Sequence, residues 1–225
     1  MRSSTQPSQS FKRLCKYLGW GNPKGKVWFV GLEPGGDGYT SLKDVVKMVR
    51  AKKSLVAPYE GVAGGHVAEK EAQILSGLRS DGDNQWRAYI RDHLWTKEGV
   101  VLHANIFPLD RPGTDRWPPQ YKRLFGFGAE DWDEYVYWVE KLRWPLLRKL
   151  KEEVSPTATI CFGSSFRAYF KTAFGLLESV KSFVNEPRIV VYEKERVILT
   201  PFLGRRQFFE ADKVAVIDVL RRWGL

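Results

Sequence analysis

The chain has 225 residues, 43% hydrophobic and 14% aromatic, which suits one sizeable packed domain and excludes wholesale disorder. Thirty-six Lys and Arg against 26 Asp and Glu give a formal charge of +10, a balance that favours a polyanionic partner, most simply nucleic acid. Two cysteines cannot fill an iron–sulfur cluster or structural zinc site, three scattered histidines form no pair at metal-ligand spacing, and no apolar run approaches the roughly 20 residues of a membrane span.

The start, Met1 to Ser10, lacks the apolar stretch of a secretory signal, so a cytoplasmic protein is expected, nucleoid-associated in a bacterium. Residues 1–26 carry Arg2, Lys12, Arg13, Lys16, Lys24 and Lys26 and no acid. They read as a basic segment ahead of a single domain at 27–225. Within that segment Phe11, Leu14, Tyr17 and Leu18 recur at helical spacing, predicting a short amphipathic helix.

Val27-Trp28-Phe29-Val30 is a short apolar run with a glycine stop, the pattern of a buried strand. Ser41-x-x-Asp44 is a capping box for a helix with Leu42, Val45, Val46 and Val49 on its apolar face. A Gly/Pro-rich loop at 58–65 precedes helical patterns at about 66–79 and 84–95. Val100 to Ile106 is a second strand, and a helix over about 131–152 carries Pro145, which should kink or split it. Thr159 to Phe162 is a third strand; Arg188–Tyr192 and Arg196–Leu199 form a strand pair about a charged turn, and a last helix closes the chain. Strands alternating with helices imply a three-layer α/β/α sandwich around a mainly parallel, four-stranded sheet. Ligands then bind beyond the carboxyl ends of the strands, so the loops after Val30, Ile106, Phe162 and Leu199 should converge on one cleft.

The first loop, Gly31-Leu32-Glu33-Pro34-Gly35-Gly36-Asp37-Gly38, sets one carboxylate among glycines whose backbone N–H groups a ligand can approach closely. It is neither a dinucleotide fingerprint nor a Walker loop. Glu33 is a candidate catalytic carboxylate or a turn residue facing water; Asp37 assists it or caps the turn. Asn105, at the end of the second strand, offers one acceptor and two donors, the pattern that accepts from uracil N3–H while donating to O4; the alternative is an amide that satisfies nearby backbone. Ser164 opens a helix start after the third strand. The fourth loop carries Leu203, Arg205 and Arg206: guanidinium pairs suit phosphates, and an apolar loop tip can wedge into a base stack.

In order and spacing the runs GLEPGG, HANIFPLDRPG, CFGSS and TPFLGRR, each after a strand, resemble the uracil-DNA glycosylase superfamily over about 27–220. The resemblance implies a monomeric enzyme that flips a damaged base out of uracil-containing DNA and hydrolyses its N-glycosidic bond without metal or cofactor. It places Glu33 at the water-positioning residue, Asn105 at the base reader and Gly35, beside Gly31, where some members block the thymine methyl. The closing motif departs: Thr200 stands where many members have His, and Phe202 where Ser follows. Tyr39 and Tyr59 are both eligible to stack on the base, and His103 is near enough to the cleft to substitute for the absent His. Three alternatives stay open. One is a non-catalytic nucleic-acid binder on this fold, suggested by Thr200. Another is an enzyme of free nucleosides or nucleotides. The third is a glycosylase preferring another base, since Gly35 leaves room beside a C5 substituent.

Overall fold

Short apolar runs ended by polar or small residues build the sheet. The computed structural model describes residues 6–35, 41–52, 56–57, 65–79, 85–176, 182–184, 188–204 and 206–225. In chain order these form α1 (Gln9–Lys16), β1 (Gly19–Gly21), β2 (Val27–Gly31), α2 (Leu42–Ala51), β3 (Val56–Ala57), α3 (Gly65–Ser76), α4 (Trp86–Asp92) and β4 (Val101–Asn105). There follow α5 (Gln120–Phe125), α6 (Trp132–Leu142), α7 (Trp144–Val154), β5 (Ala158–Phe162), α8 (Arg167–Phe174), β6 (Ser182–Val184), β7 (Ile189–Tyr192), β8 (Val197–Thr200) and α9 (Glu210–Arg222).

The protein is a mixed α/β fold with one mixed sheet in the order β3-β1-β4-β2-β5-β8-β7-β6. Among the described residues the sheet therefore has eight strands where the sequence suggested four. The central four, β4-β2-β5-β8, are parallel throughout, and all of their residues are buried, as befits strands covered on both faces. Antiparallel pairing extends them at both edges: β1 on β4, β7 on β8 and β6 on β7.

Alternation along β2 shows why both faces are covered. Trp28 and Val30 join Phe11, Tyr121, Tyr135, Trp144 and Phe170 on one side. Val27 and Phe29 join Ala72, Ile90, Val216 and Leu220 on the other. Helices α1, α5, α6, α7 and α8 supply the first core, and α3, α4 and α9 the second.

Residues 6–26 are not an appendage. Phe11, Leu14, Cys15, Tyr17 and Leu18 are at most 5% exposed, and β1 is a sheet strand. The basic face expected of this helix remains, but its apolar face is core. The helix expected over 131–152 is two helices meeting at Arg143, with Pro145 in the first turn of α7, where a missing N–H has no partner to lose.

From β2 the chain proceeds to β4 on one side and then crosses to β5 on the other. Strand order thus reverses beside β2, and a crevice opens beyond the carboxyl ends there.

Candidate active site

That crevice is a cleft of about 690 Å³. Its lining comes from all four expected loops: Leu32 to Gly35 after β2, Asn105 and Arg111 to Thr114 from β4 onward, Phe162 to Phe166 around the end of β5, and Pro201 and Phe202 after β8. Trp20, Trp95, His103 and the start of α3 at Gly65, His66 and Val67 complete it.

Gly31 ends β2. A Cβ there would stand 2.5 Å from Asn105 Oδ1 and 2.9 Å from the ring of Phe162, so only glycine lets the amide and the ring close over the end of β2. Asn105 is 3% exposed, yet among the described residues its side chain makes no hydrogen bond. It does not serve local backbone. Its main chain, by contrast, is firmly held. Arg143, 1% exposed, donates to the Asn105 carbonyl from Nε at 2.8 Å and NH2 at 2.6 Å. The same guanidinium donates to the carbonyls of Leu14, Cys15, Tyr17 and Leu18. One buried cation therefore ties the C-terminal end of α1 to the end of β4. Burial pushes Arg143 down to about 10, so it remains charged at neutral pH.

Glu33 does not face water. Its side chain is 8% exposed and Oε2 accepts from Arg111, from NH2 at 2.6 Å and Nε at 2.8 Å. Arg111 is seated in turn by the Thr114 carbonyl at 3.1 Å and by the rings of Trp132 and Trp117, 4.7 and 5.3 Å away. Among the described residues Oε1 of Glu33 has no hydrogen-bond partner, and the residue lines the cleft. Burial raises the Glu33 carboxyl to about 7, against the opposing pull of Arg111. A carboxylate titrating there is suited to accepting a proton at neutral pH.

His103 shares its strand face with Asn105, two residues away, and reaches the cleft. Its Nδ1 lies 2.7 Å from Oε1 of Glu71, a carboxylate with no exposed surface.

The remaining expected residues divide. Gly35 and Ser164 line the cleft, while Gly31 lies outside its lining; among the described residues a Cβ on Gly35 would meet nothing within 4 Å. Thr200 does not take part: it is fully buried and its Oγ1 donates to the Pro201 carbonyl at 2.9 Å. Leu203 is no exposed wedge, because it is buried in the core beneath α9; Phe202, 42% exposed, is the apolar side chain presented by that loop. Arg206 is exposed. Asp37, Tyr39, Tyr59 and Arg205 lie outside the described residues.

Three participants escaped the sequence reading. Arg111 was visible only as one charge in a Pro/Gly-rich loop. Glu71 left a better signal, a carboxylate on the apolar stripe Ala68, Ala72 and Leu75 of α3. Phe162 looked like an ordinary strand end. Among the described residues no group of three His, Cys, Asp or Glu is placed to hold a metal ion, and no helix is long and apolar enough to cross a membrane. Compared with known proteins, the chain matches no family model and no curated sequence.

Proposed function

We propose that the protein is a monofunctional DNA glycosylase that everts uracil from DNA and hydrolyses its N-glycosidic bond, leaving an abasic site. The observation that carries this reading is the Asn105 amide: nearly buried, without a side-chain hydrogen bond among the described residues, and lining the same cleft as Glu33. A ligand that fills the cleft displaces solvent from this amide, and a hydrogen bond made there contributes about 0.5–1.5 kcal/mol net. Uracil makes such bonds with N3–H and O4; cytosine presents the opposite polarity and is refused.

The chemistry follows from the charges that develop. Breaking the bond between C1′ and N1 leaves an oxocarbenium-like sugar and a uracil anion. Ionised Glu33 stabilises the cation and takes a proton from the attacking water at Oε1, while Arg111 fixes Oε2. Asn105 donates to the departing anion, a contribution of about 3–4 kcal/mol by analogy with an oxyanion hole. Phe162 and Trp20, on the cleft wall, offer faces for the everted ring, worth about 1–3 kcal/mol per stacked base. The +10 charge supports binding to phosphate and makes it salt-sensitive. The space that the described residues leave beside Gly35 favours tolerance of a C5 substituent, so thymine in a mismatch is the second substrate to test.

The test is alkaline cleavage of end-labelled oligonucleotides containing uracil, mismatched thymine or hypoxanthine. Native protein should cut at uracil, Glu33→Gln should lose at least about 100-fold in rate, and Asn105→Ala should lose its preference for uracil over cytosine. A Glu33→Gln variant as fast as native protein, or an Asn105→Ala variant with unchanged selectivity, overturns the assignment.

A further inference from the structure

Positive charge is unevenly shared among the helices. Together α1, α2 and α5 hold eight Lys and Arg against one acid, Asp44, and so carry most of the formal +10. Asp44 itself accepts from the Ser41 hydroxyl at 2.6 Å. By contrast α6 carries Asp133, Glu134 and Glu140 against Lys141, and α9 has acids and bases in equal number. Because α1 packs against both α2 and α5, the three make one basic surface over the first core. Their apolar side is buried there through Phe11, Leu14, Val49, Tyr121 and Phe125. Their outer side exposes Arg13, Lys16, Lys43, Lys47, Arg50 and Arg123, and among the described residues none of these six has an acid partner. A folded surface usually intersperses the two signs; unpaired charge of one sign repels itself and is relieved by a polyanion.

Lys43, Lys47 and Arg50 recur at i, i+4 and i+7 on α2, a stripe about 10 Å long on one helix face. A DNA strand advances about 3.4 Å along the axis per phosphate, so the stripe spans about three phosphates. The helix is also tied to the cleft. Lys52, just past its end, donates from Nζ to both oxygens of Asp110, at 2.7 and 2.9 Å. Asp110 immediately precedes Arg111, the residue that holds Glu33, and the Lys52 and Asp110 side chains are each only 10% exposed. We propose that the outer face of α1, α2 and α5 is a phosphate-binding track for DNA flanking the cleft, separate from the groups that read the base. This rests on the DNA half of the proposed function and not on bond hydrolysis. The track recognises backbone charge alone, so it holds undamaged as well as damaged DNA and keeps the strand beside the cleft while bases are sampled.

The experiment measures binding of a fluorescent duplex without uracil, by anisotropy, between about 50 and 200 mM salt. Lys43→Gln, Lys47→Gln and Arg50→Gln combined should flatten the slope of log affinity against log salt by about 2–3, since each neutralised phosphate contributes about 0.9. Adding Arg13→Gln and Lys16→Gln should flatten it by about 1–2 more. The control combines Lys97→Gln, Lys149→Gln and Lys194→Gln, which remove the same charge ahead of β4, on α7 and in the turn between β7 and β8. It should change the slope by less than about 1. All of these positions are exposed, so the substitutions leave the core intact. An α2 variant with the native slope, or a control that flattens it equally, overturns the track, and release of uracil by native protein then leaves the glycosylase assignment standing. Native protein that binds through the track but releases no uracil overturns the glycosylase assignment alone.

Discussion

Arg111 holds one oxygen of Glu33 and leaves the other to the cleft. With NH2 and Nε both on Oε2, the carboxylate plane is set and Oε1 is presented to whatever enters. This is a positioning pair rather than a surface ion pair, since both side chains are under 10% exposed. Burial nevertheless dominates and raises Glu33 to about 7. The rate of base release should therefore climb as pH rises toward 7 and level above it. Removing the guanidinium removes the one influence pulling Glu33 down. In Arg111→Gln the acidic limb should move up by about 1–3 pH units, read from single-turnover rates between pH 5 and 9. A limb that stays in place shows that Glu33 is not the titrating group.

The same shift has a cost in stability. An ordinary glutamate titrates at 4.5 and Glu33 at about 7, so between these values the folded protein binds more protons than the unfolded chain. Stability contributed by the neutral carboxyl is fully present below 4.5 and declines as pH rises through that window, by about 3 kcal/mol at full ionisation. Glu33→Gln stays neutral at every pH. It should exceed native protein by up to about 3 kcal/mol at pH 8 and by under about 1 kcal/mol at pH 5, measured by urea unfolding, while losing catalysis. An equal difference at the two pH values shows that ionisation of Glu33 is not the cause.

Gly31→Ala probes how Asn105 and Phe162 pack at the end of β2. The added methyl meets Asn105 Oδ1 and the Phe162 ring well inside contact distance, and both belong to β-strand ends that cannot retreat without breaking ladder bonds. Overpacking of this kind costs about 1–3 kcal/mol. The expected outcome is a folded but less stable protein whose uracil preference falls with its rate, read by thermal melting and by the oligonucleotide assay. Native selectivity in this variant would mean that Asn105 does not read the base where it now sits.

The central strands were legible because each is a short run of apolar residues closed by a polar or glycine stop. The edges were not. β1 is Gly-Trp-Gly, with no local strand preference, and a Cβ at Gly19 would stand 1.9 Å from the His103 carbonyl; its strand character comes from pairing with β4 and β3. Asn105 and Glu33 could be found in the sequence because a loop after a buried strand is where such folds place ligands. Their partners could not. Arg111 lies 78 residues from Glu33 and Glu71 32 residues from His103, and an ion pair across such separations leaves no periodicity. Leu203 failed for the converse reason, since its burial depends on packing with α9, and Thr200 turns its hydroxyl to the Pro201 carbonyl.

Arg143 shows how far the site depends on a residue outside it. Its side chain serves five backbone carbonyls, among them that of Asn105. Arg143→Met fills similar volume but leaves those carbonyls without their donor, at about 1–3 kcal/mol for each that stays buried and unmet. The variant should unfold at markedly lower urea concentration. Arg143→Lys should recover little, because three donors on one nitrogen cannot span the fork. Full rescue by lysine would mean that charge alone matters there.

The proposed glycosylase activity assigns duplex handling to Phe202. The loop after β8 buries Leu203 and exposes Phe202, whose ring lies 6.0 Å from that of Phe162 at the cleft. An exposed aromatic at the mouth of a base-sized pocket stabilises extrusion by filling the gap in the stack. Extrusion from a duplex costs a few kcal/mol, and a single strand has little stack to open. Phe202→Ala should therefore slow excision from duplex DNA by roughly 10-fold or more while leaving single-stranded substrate within about 3-fold, given 1–3 kcal/mol per stacked ring. Equal losses on the two substrates would assign Phe202 to the wall of the pocket beside Phe162 and leave base eversion to other residues.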